Sequence, residues 1–376
     1  MKLGFIFGKN WKLSLAELLA YFEKKEIKWN FIDLTKKALI VEIEVSTNKI
    51  INELGGILKI VKINEEFDFK NLKTIDFKEA IDFPISVYGS YKLLHDIRKI
   101  FHVIPKDGVL SVRDKIRKKW LYETALIVND KNKCYYGEVI AYYNPYAQKR
   151  RDESRPFKDY LTIAPSRAMI LINLSQAKKN LLDPFCGMGT IAQEAIVLGI
   201  KNIYISDVNK EVVKKAKKNL KWAQQEYEKI SVHAKVMDAR NLDYKGIEAI
   251  ATEPDLGPAL KEKPNKRDAE KISKYVEKLY KQFFNSAYKI LKKDARIAII
   301  FPVFNTKGGK VFINKFFPGF EVIYPFDSIP KTYKESLKLT NPFIIDEQRE
   351  KGKLRNVIRE FCIYKVKKKS KGELKK

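Results

Sequence analysis

Cysteine is scarce in this chain: Cys134, Cys186 and Cys362 are the three among 376 residues, widely spaced and odd in number. That pattern argues against a disulfide framework and a CxxC metal knuckle, and favours a reducing, cytoplasmic compartment. Histidine is equally rare, with three residues, so no His-rich metal site is expected. No stretch approaches the ~20 apolar residues of a membrane helix. The opening MKLGFIFGKNWKL has too short an apolar run for a signal peptide. The expected chain therefore has no metal and no membrane. Acid is in short supply as well: 46 Asp+Glu stand against 74 Lys+Arg, a net charge of +28. Such an excess points to a polyanionic partner, because each phosphate neutralised releases condensed counterions. A lysine-rich background alone leaves acid and base closer to balance, so nucleic acid is the expected partner.

What is present is a sizeable core. Forty-five per cent of the residues are hydrophobic, and a chain of this length predicts two or three domains. The first stretch alternates in period. Leu3–Phe7 reads as a strand, and Ser14 with Glu17 as a capping box ahead of an apolar face of Leu15, Leu18, Leu19 and Phe22. Two strands, a short helix from Thr47 and a strand at Ile57–Ile63 complete a β-α-β-β-α-β order, a ferredoxin-like unit over residues 1–64. A second unit over 65–146 carries a strand at Ile85–Tyr88, an amphipathic helix over Tyr91–Phe101, a basic run Arg113–Lys119 and a hairpin about Asn129–Asn132. A polar linker follows at 147–164. From Pro165 to residue 368 strands alternate with longer helices, the pattern of a mostly parallel α/β sheet, and 369–376 is a basic tail.

The chemistry sits in that last domain. Leu181-Leu182-Asp183-Pro184-Phe185-Cys186-Gly187-Met188-Gly189-Thr190 is an apolar strand end, a tight glycine loop and the opening of a helix. Gly187 and Gly189 let backbone approach a ligand where a Cβ would block it, and the helix N-terminus attracts a carboxylate. The loop lacks the GxGxxG spacing and the GxxxxGK lysine that serve pyrophosphate or triphosphate; the methionine carboxylate of S-adenosyl-L-methionine fits it instead. Asp207 closes the next strand, 24 residues after Asp183. Alone it reads as a helix cap; after the glycine loop it reads as the acid that takes both ribose hydroxyls. Asp238 ends a third strand, as an acceptor for the adenine amine or as a turn acid. The fourth strand runs into Thr252-Glu253-Pro254-Asp255-Leu256-Gly257. Methyl transfer to a conjugated exocyclic amine needs acceptors that orient its lone pair, and Glu253 with the Pro254 carbonyl supplies them. A cap or turn ahead of the helix near Asn265 is the competing reading.

Together these residues resemble the archaeal and eukaryotic tRNA guanine-10 N2-methyltransferase family, whose N-terminal region contains a THUMP RNA-binding domain. Phe7-Gly8-Lys9-Asn10 with Leu13–Leu18, Leu54–Ile60, Arg151-Asp152 with Arg155-Pro156, then Pro165, Ala168 and Ile172-Asn173-Leu174, and the string DPFCGMGT carry the resemblance over nearly the whole chain. It implies a Rossmann-like methyltransferase domain behind a ferredoxin-like and THUMP-like RNA-binding region, S-adenosyl-L-methionine as cofactor and tRNA as partner, and leaves room for a small activator subunit. Cofactor binding is expected at Asp183, Pro184, Phe185, Gly187, Gly189, Thr190, Asp207 and Asp238, and catalysis at Glu253, Pro254 and Asp255. The chain departs from the family at its catalytic loop, which usually reads Asp-Pro-Pro-Tyr-Gly. Here the acid is one methylene longer, Leu256 replaces the aromatic that stacks on the base, and Asp255 is a candidate to share the acid's role. Two rivals remain: a DNA amino-methyltransferase, and an RNA-binding paralogue without catalysis.

Overall fold

The computed structural model describes residues 1–74, 85–89, 105–106, 109–110, 123–144, 151–158, 162–226, 230–347, 349–350 and 353–368. The helix expected over 91–101, the basic run 113–119 and the tail 369–376 lie outside the described residues. The chain divides into two units, one formed by 1–18, 25–144 and 329–338, the other by 19–24, 145–328 and 339–376.

In the first unit β1 (Lys2–Phe7), α1 (Trp11–Lys24), β2 (Trp29–Leu34), β3 (Ala38–Ile43), α2 (Thr47–Glu53) and β4 (Ile57–Asp68) follow in the expected β-α-β-β-α-β order. Their sheet order is β2-β3-β1-β4, every pairing antiparallel. The same sheet continues through β9 (Lys133–Tyr142), β8 (Thr124–Val128) and β5 (Ile85–Tyr88), with β6 (Pro105–Lys106) and β7 (Val109–Leu110) as a small separate ribbon. The boundary expected at residue 64 thus falls inside β4, one long strand serving both halves.

The capping box read at Ser14 and Glu17 is not formed. Asn10 caps α1 instead: its side chain accepts the Leu13 N–H at 3.2 Å, so Ser14 already lies inside the helix. Glu17 is fully buried and accepts the N–H groups of Gly55 and Gly56 at 2.8 and 2.7 Å. It ties α1 to the Gly55-Gly56 turn that opens β4. A buried carboxylate needs such donors, and two backbone N–H groups meet the need. The segment 329–338, with α7 (Lys331–Ser336) within it, joins this unit by long-range contact. Its Tyr333 donates to Asp33 at 2.8 Å and meets Phe31 edge-on at 4.8 Å.

The second unit holds α3 (Pro165–Ser175), β10 (Asn180–Asp183), α4 (Thr190–Val197), β11 (Asn202–Asp207), α5 (Lys210–Ala223), β12 (Ser231–Val236), β13 (Ile247–Thr252), α6 (Lys266–Ile290), β14 (Leu291–Thr306), β15 (Gly309–Phe312), β16 (Phe320–Val322), β17 (Ile344–Asp346), β18 (Arg349–Glu350), β19 (Lys353–Leu354) and β20 (Val357–Val366). The main sheet runs β12-β11-β10-β13-β14-β20-β16. β10 to β14 are parallel, and β20 returns antiparallel between β14 and β16. The chain winds outward from β10 through β11 and β12, then resumes on its other side with β13. That reversal opens a crevice at the strands' carboxyl ends, where doubly wound sheets bind ligands. Beneath it lies an aromatic core in which Phe284 stacks on Phe317 at 3.7 Å and meets Tyr364 edge-on. Among the described residues no helix is long and apolar enough to cross a membrane, and no His, Cys, Asp or Glu cluster could hold a metal ion.

Candidate active site

Three strands deliver acids to the crevice. Asp183 ends β10, Asp207 ends β11, and Glu253 follows Thr252 at the end of β13. All three line one cavity of about 240 Å³, together with Phe185, Gly187 and Thr190.

Asp183 is almost wholly buried. Its Oδ1 accepts the Thr252 hydroxyl at 2.7 Å and the Phe185 N–H at 3.3 Å, which fixes the end of β10 against the end of β13. Burial pushes its pKa up to about 7, and the nearby charges of Asp207 and Glu253 add to the rise against those two hydrogen bonds. Asp207 accepts the Gly187 N–H at 3.2 Å and the Asn209 N–H at 3.0 Å, so it sets both the glycine loop and the start of α5.

The two glycines differ in purpose. At Gly187 φ is +50° and a Cβ would project into open space at the cavity, so this backbone is bare where a ligand would lie. At Gly189 φ is +85° and a Cβ would touch Ala216 and Leu220 of α5 at ordinary distance. Its left-handed conformation as the N-cap of α4 by itself favours glycine there. Asn219, fully buried on α5, donates to the Met188 carbonyl at 2.9 Å and exchanges two hydrogen bonds with the Phe157 backbone. Residues 151–158, read from sequence as linker, are built onto this loop. Arg155 donates to Thr190 Oγ1 at 2.6 Å and to Thr162 Oγ1 at 3.1 Å, and Arg151 forks onto the buried Glu194. Burial raises the Glu194 carboxyl pKa, and Arg151 opposes the rise.

The remaining site candidates sit differently. Pro184, Gly189, Asp238, Pro254 and Asp255 are not among the residues lining the cavity. Asp238 caps a short 3-10 turn at Ala239–Asn241, and both its oxygens take the Arg240 side chain, which lowers its pKa. That cap is the geometry of the turn-acid reading. Pro254 is buried behind Glu253. Asp255 is exposed; its Oδ1 accepts the Gly257 N–H at 2.9 Å and its carbonyl accepts the Tyr280 hydroxyl at 2.6 Å. Those bonds make it the turn residue that shapes the loop. Glu253 is joined by a residue that sequence reasoning missed: Arg359 of β20, whose Nε–H donates to Oε1 at 2.5 Å. The arrangement is a carboxylate-lined pocket with one acid at the switch point of the sheet, suited to a cationic ligand and to an N–H donor beside it.

Residues 153–306 match the RMKL-like, methyltransferase domain family. A tRNA (guanine(10)-N2)-dimethyltransferase of Pyrococcus abyssi is 34% identical over 158 residues, 41% of this chain and 43% of that protein. The one of Methanothermobacter thermautotrophicus is 26% identical over 307 residues, 77% of this chain and 85% of that protein. A protein of Methanothermococcus thermolithotrophicus named probable tRNA (guanine(10)-N2)-dimethyltransferase is 32% identical over 136 residues, 34% of this chain and 74% of that protein. The chain belongs to the tRNA (guanine(10)-N2)-dimethyltransferase family. The crystal structure of TrmN from Thermus thermophilus shares the fold, with a TM-score of 0.54 at 15% identity over 97% of this chain and 99% of that one. Against the loop expected for the family, this chain keeps an acid at 253, and Arg359 contacts it.

Proposed function

We propose that this chain transfers a methyl group from S-adenosyl-L-methionine to the exocyclic N2 amine of a guanine in tRNA, at a position of the guanine-10 type. The observation that carries the reading is the convergence of Asp183, Asp207 and Glu253 on one cavity beside the bare backbone of Gly187. The residues suit that cofactor. Asp207 offers carboxylate oxygens toward a ribose, the α4 N-terminus offers N–H groups toward a carboxylate, and Gly187 leaves room for both. When bound, the cofactor supplies a methyl group on a positively charged sulfur.

The protein's share of the work is orientation. Glu253 accepts an N–H of the target amine and turns the nitrogen lone pair out of conjugation, with the Pro254 carbonyl as the second acceptor. The amine becomes acidic only as it acquires the methyl, so the proton leaves late and a strong base is not needed. The carboxylate stabilises the charge that develops on nitrogen. Tyr280 and Gly257 hold Asp255, and with it the loop that follows Pro254. The net charge of +28 supplies the phosphate attraction, and the N-terminal half, read as ferredoxin-like over 1–64 and THUMP-like over 65–146, is proposed to carry most of the tRNA contact. Labelled methyl incorporation into bulk tRNA and into DNA tests the reading. Transfer to tRNA alone is expected; transfer to DNA, or to neither while cofactor binds, overturns it.

A further inference from the structure

Glu253 and Arg359 are 106 positions apart, yet the fold makes them partners. β14 separates their strands. Thr252 of β13 pairs with Ile299 on one side of β14, and Arg359 of β20 pairs with Pro302 on the other. The guanidinium reaches across β14 near Ile299–Pro302 and meets the carboxylate through Nε. Both side chains are largely withdrawn from water, at 14% and 11% exposure, so the contact is poorly screened and geometrically restrictive.

Two features make this more than a structural ion pair. Glu253 lines the cavity that also holds Asp183 and Asp207, so three acids crowd one desolvated space and repel one another. A glutamate also has one more rotatable bond than the aspartate usual in this family's loop, and a longer arm needs a second hold to keep its oxygens in place. The bond from Arg359 fixes one oxygen and leaves the other to accept. It also balances the charge of Glu253, while the remaining acids keep the cavity favourable to a cation.

We propose that Arg359 is a positioning residue for methyl transfer, holding the Glu253 carboxylate so that its second oxygen receives the N–H of the target amine. The proposal rests on the methyl-transfer reading above. The full-length chain is assayed with tRNA as wild type, Arg359→Lys, Arg359→Gln, Glu253→Gln and the double variant Arg359→Gln/Glu253→Gln. Because a misplacement of about 1 Å can cost on the order of 10² in rate, Arg359→Gln should lower kcat by about 10- to 100-fold. KM for tRNA and calorimetric affinity for S-adenosylmethionine should stay within about threefold. Arg359→Lys, which keeps the charge without the fixed Nε–H, should fall between Arg359→Gln and wild type.

A structural role would act independently of Glu253, so the double variant separates the two explanations. In the Glu253→Gln background, Arg359→Gln should cost less than about threefold more. Full multiplication of the two losses, or unchanged kcat in both Arg359 variants, overturns the proposal. If Arg359→Gln melts below the assay temperature, Arg359→Lys made alone and with Glu253→Gln gives the same cycle. An inactive wild type defeats the methyl-transfer reading itself; an active wild type with neutral Arg359 variants defeats only the positioning role.

Discussion

Replacing Asp183 by asparagine should make the ligand-free chain more stable at high pH and worse at binding its cofactor. Asp183 is about 1% exposed, and burial carries its pKa from 3.8 to about 7. At about 1.4 kcal/mol per pKa unit, that rise corresponds to up to about 4 kcal/mol of differential interaction. The sign follows from the direction of the rise. A carboxyl whose folded pKa lies above its unfolded value stabilises the fold fully below about pH 4, and that stability is lost as pH climbs through about 7. Above that window the folded chain bears a buried, desolvated anion. Asparagine keeps Oδ1 as acceptor for Thr252 and Phe185 and removes the charge. Melting curves of wild type and Asp183→Asn should coincide near pH 4 and separate as pH rises, with the variant higher by about 10 °C near pH 8, since 1 kcal/mol moves a unit of this size by about 2–4 °C. Affinity for the cationic S-adenosylmethionine should fall at the same time, and that for neutral S-adenosylhomocysteine should fall less. A gap between the melting curves that does not vary with pH, or a variant less stable at pH 8, refutes the reasoning.

Gly187→Val should weaken S-adenosylmethionine binding at least tenfold by calorimetry with the circular dichroism unchanged, because the side chain enters the cavity and φ is +50° there. Asp207→Ala should weaken it too, as it removes both the acceptor and the anchor of the Gly187 N–H. Glu17→Ala should destabilise the N-terminal unit by about 2–4 kcal/mol in urea titrations, by stranding two glycine N–H donors. Affinity for tRNA should drop by on the order of 10³ between 50 and 200 mM salt if about six phosphates are contacted, measured by filter binding.

Much of the catalytic unit was legible because strand ends and glycine loops are local signals. The apolar runs before Asp183, Asp207 and Glu253 announce strands, whose tips line one cavity, and the positive φ of Gly187 and Gly189 agrees with the turn read there. One local signal misled. Ser14 and Glu17 have capping-box spacing, but Asn10 starts the helix one turn earlier, and Glu17 binds a distant turn instead. Asp255, read as a candidate to share the acid's role, also accepts the Gly257 N–H, a turn contact that its spacing did not announce. What sequence does not carry is pairing across the sheet. Arg359 reaches Glu253 only because β20 returns antiparallel beside β14, and no spacing rule links positions so far apart. Arg155 and Asn219 were hidden for a related reason: the polar stretch read as linker finds its partners only when α4 and α5 pack beside it.

The central claim is methyl transfer to the N2 amine of a tRNA guanine with Glu253 as acceptor. It is tested most directly by nucleoside mass spectrometry of tRNA incubated with S-adenosylmethionine and either wild type or Glu253→Ala. N2-methylated guanosine is expected with the wild type, and a loss of about 10²–10³ in its rate of formation with Glu253→Ala while cofactor affinity holds. Methyl groups on another atom, or full N2-methylation by Glu253→Ala, would contradict it.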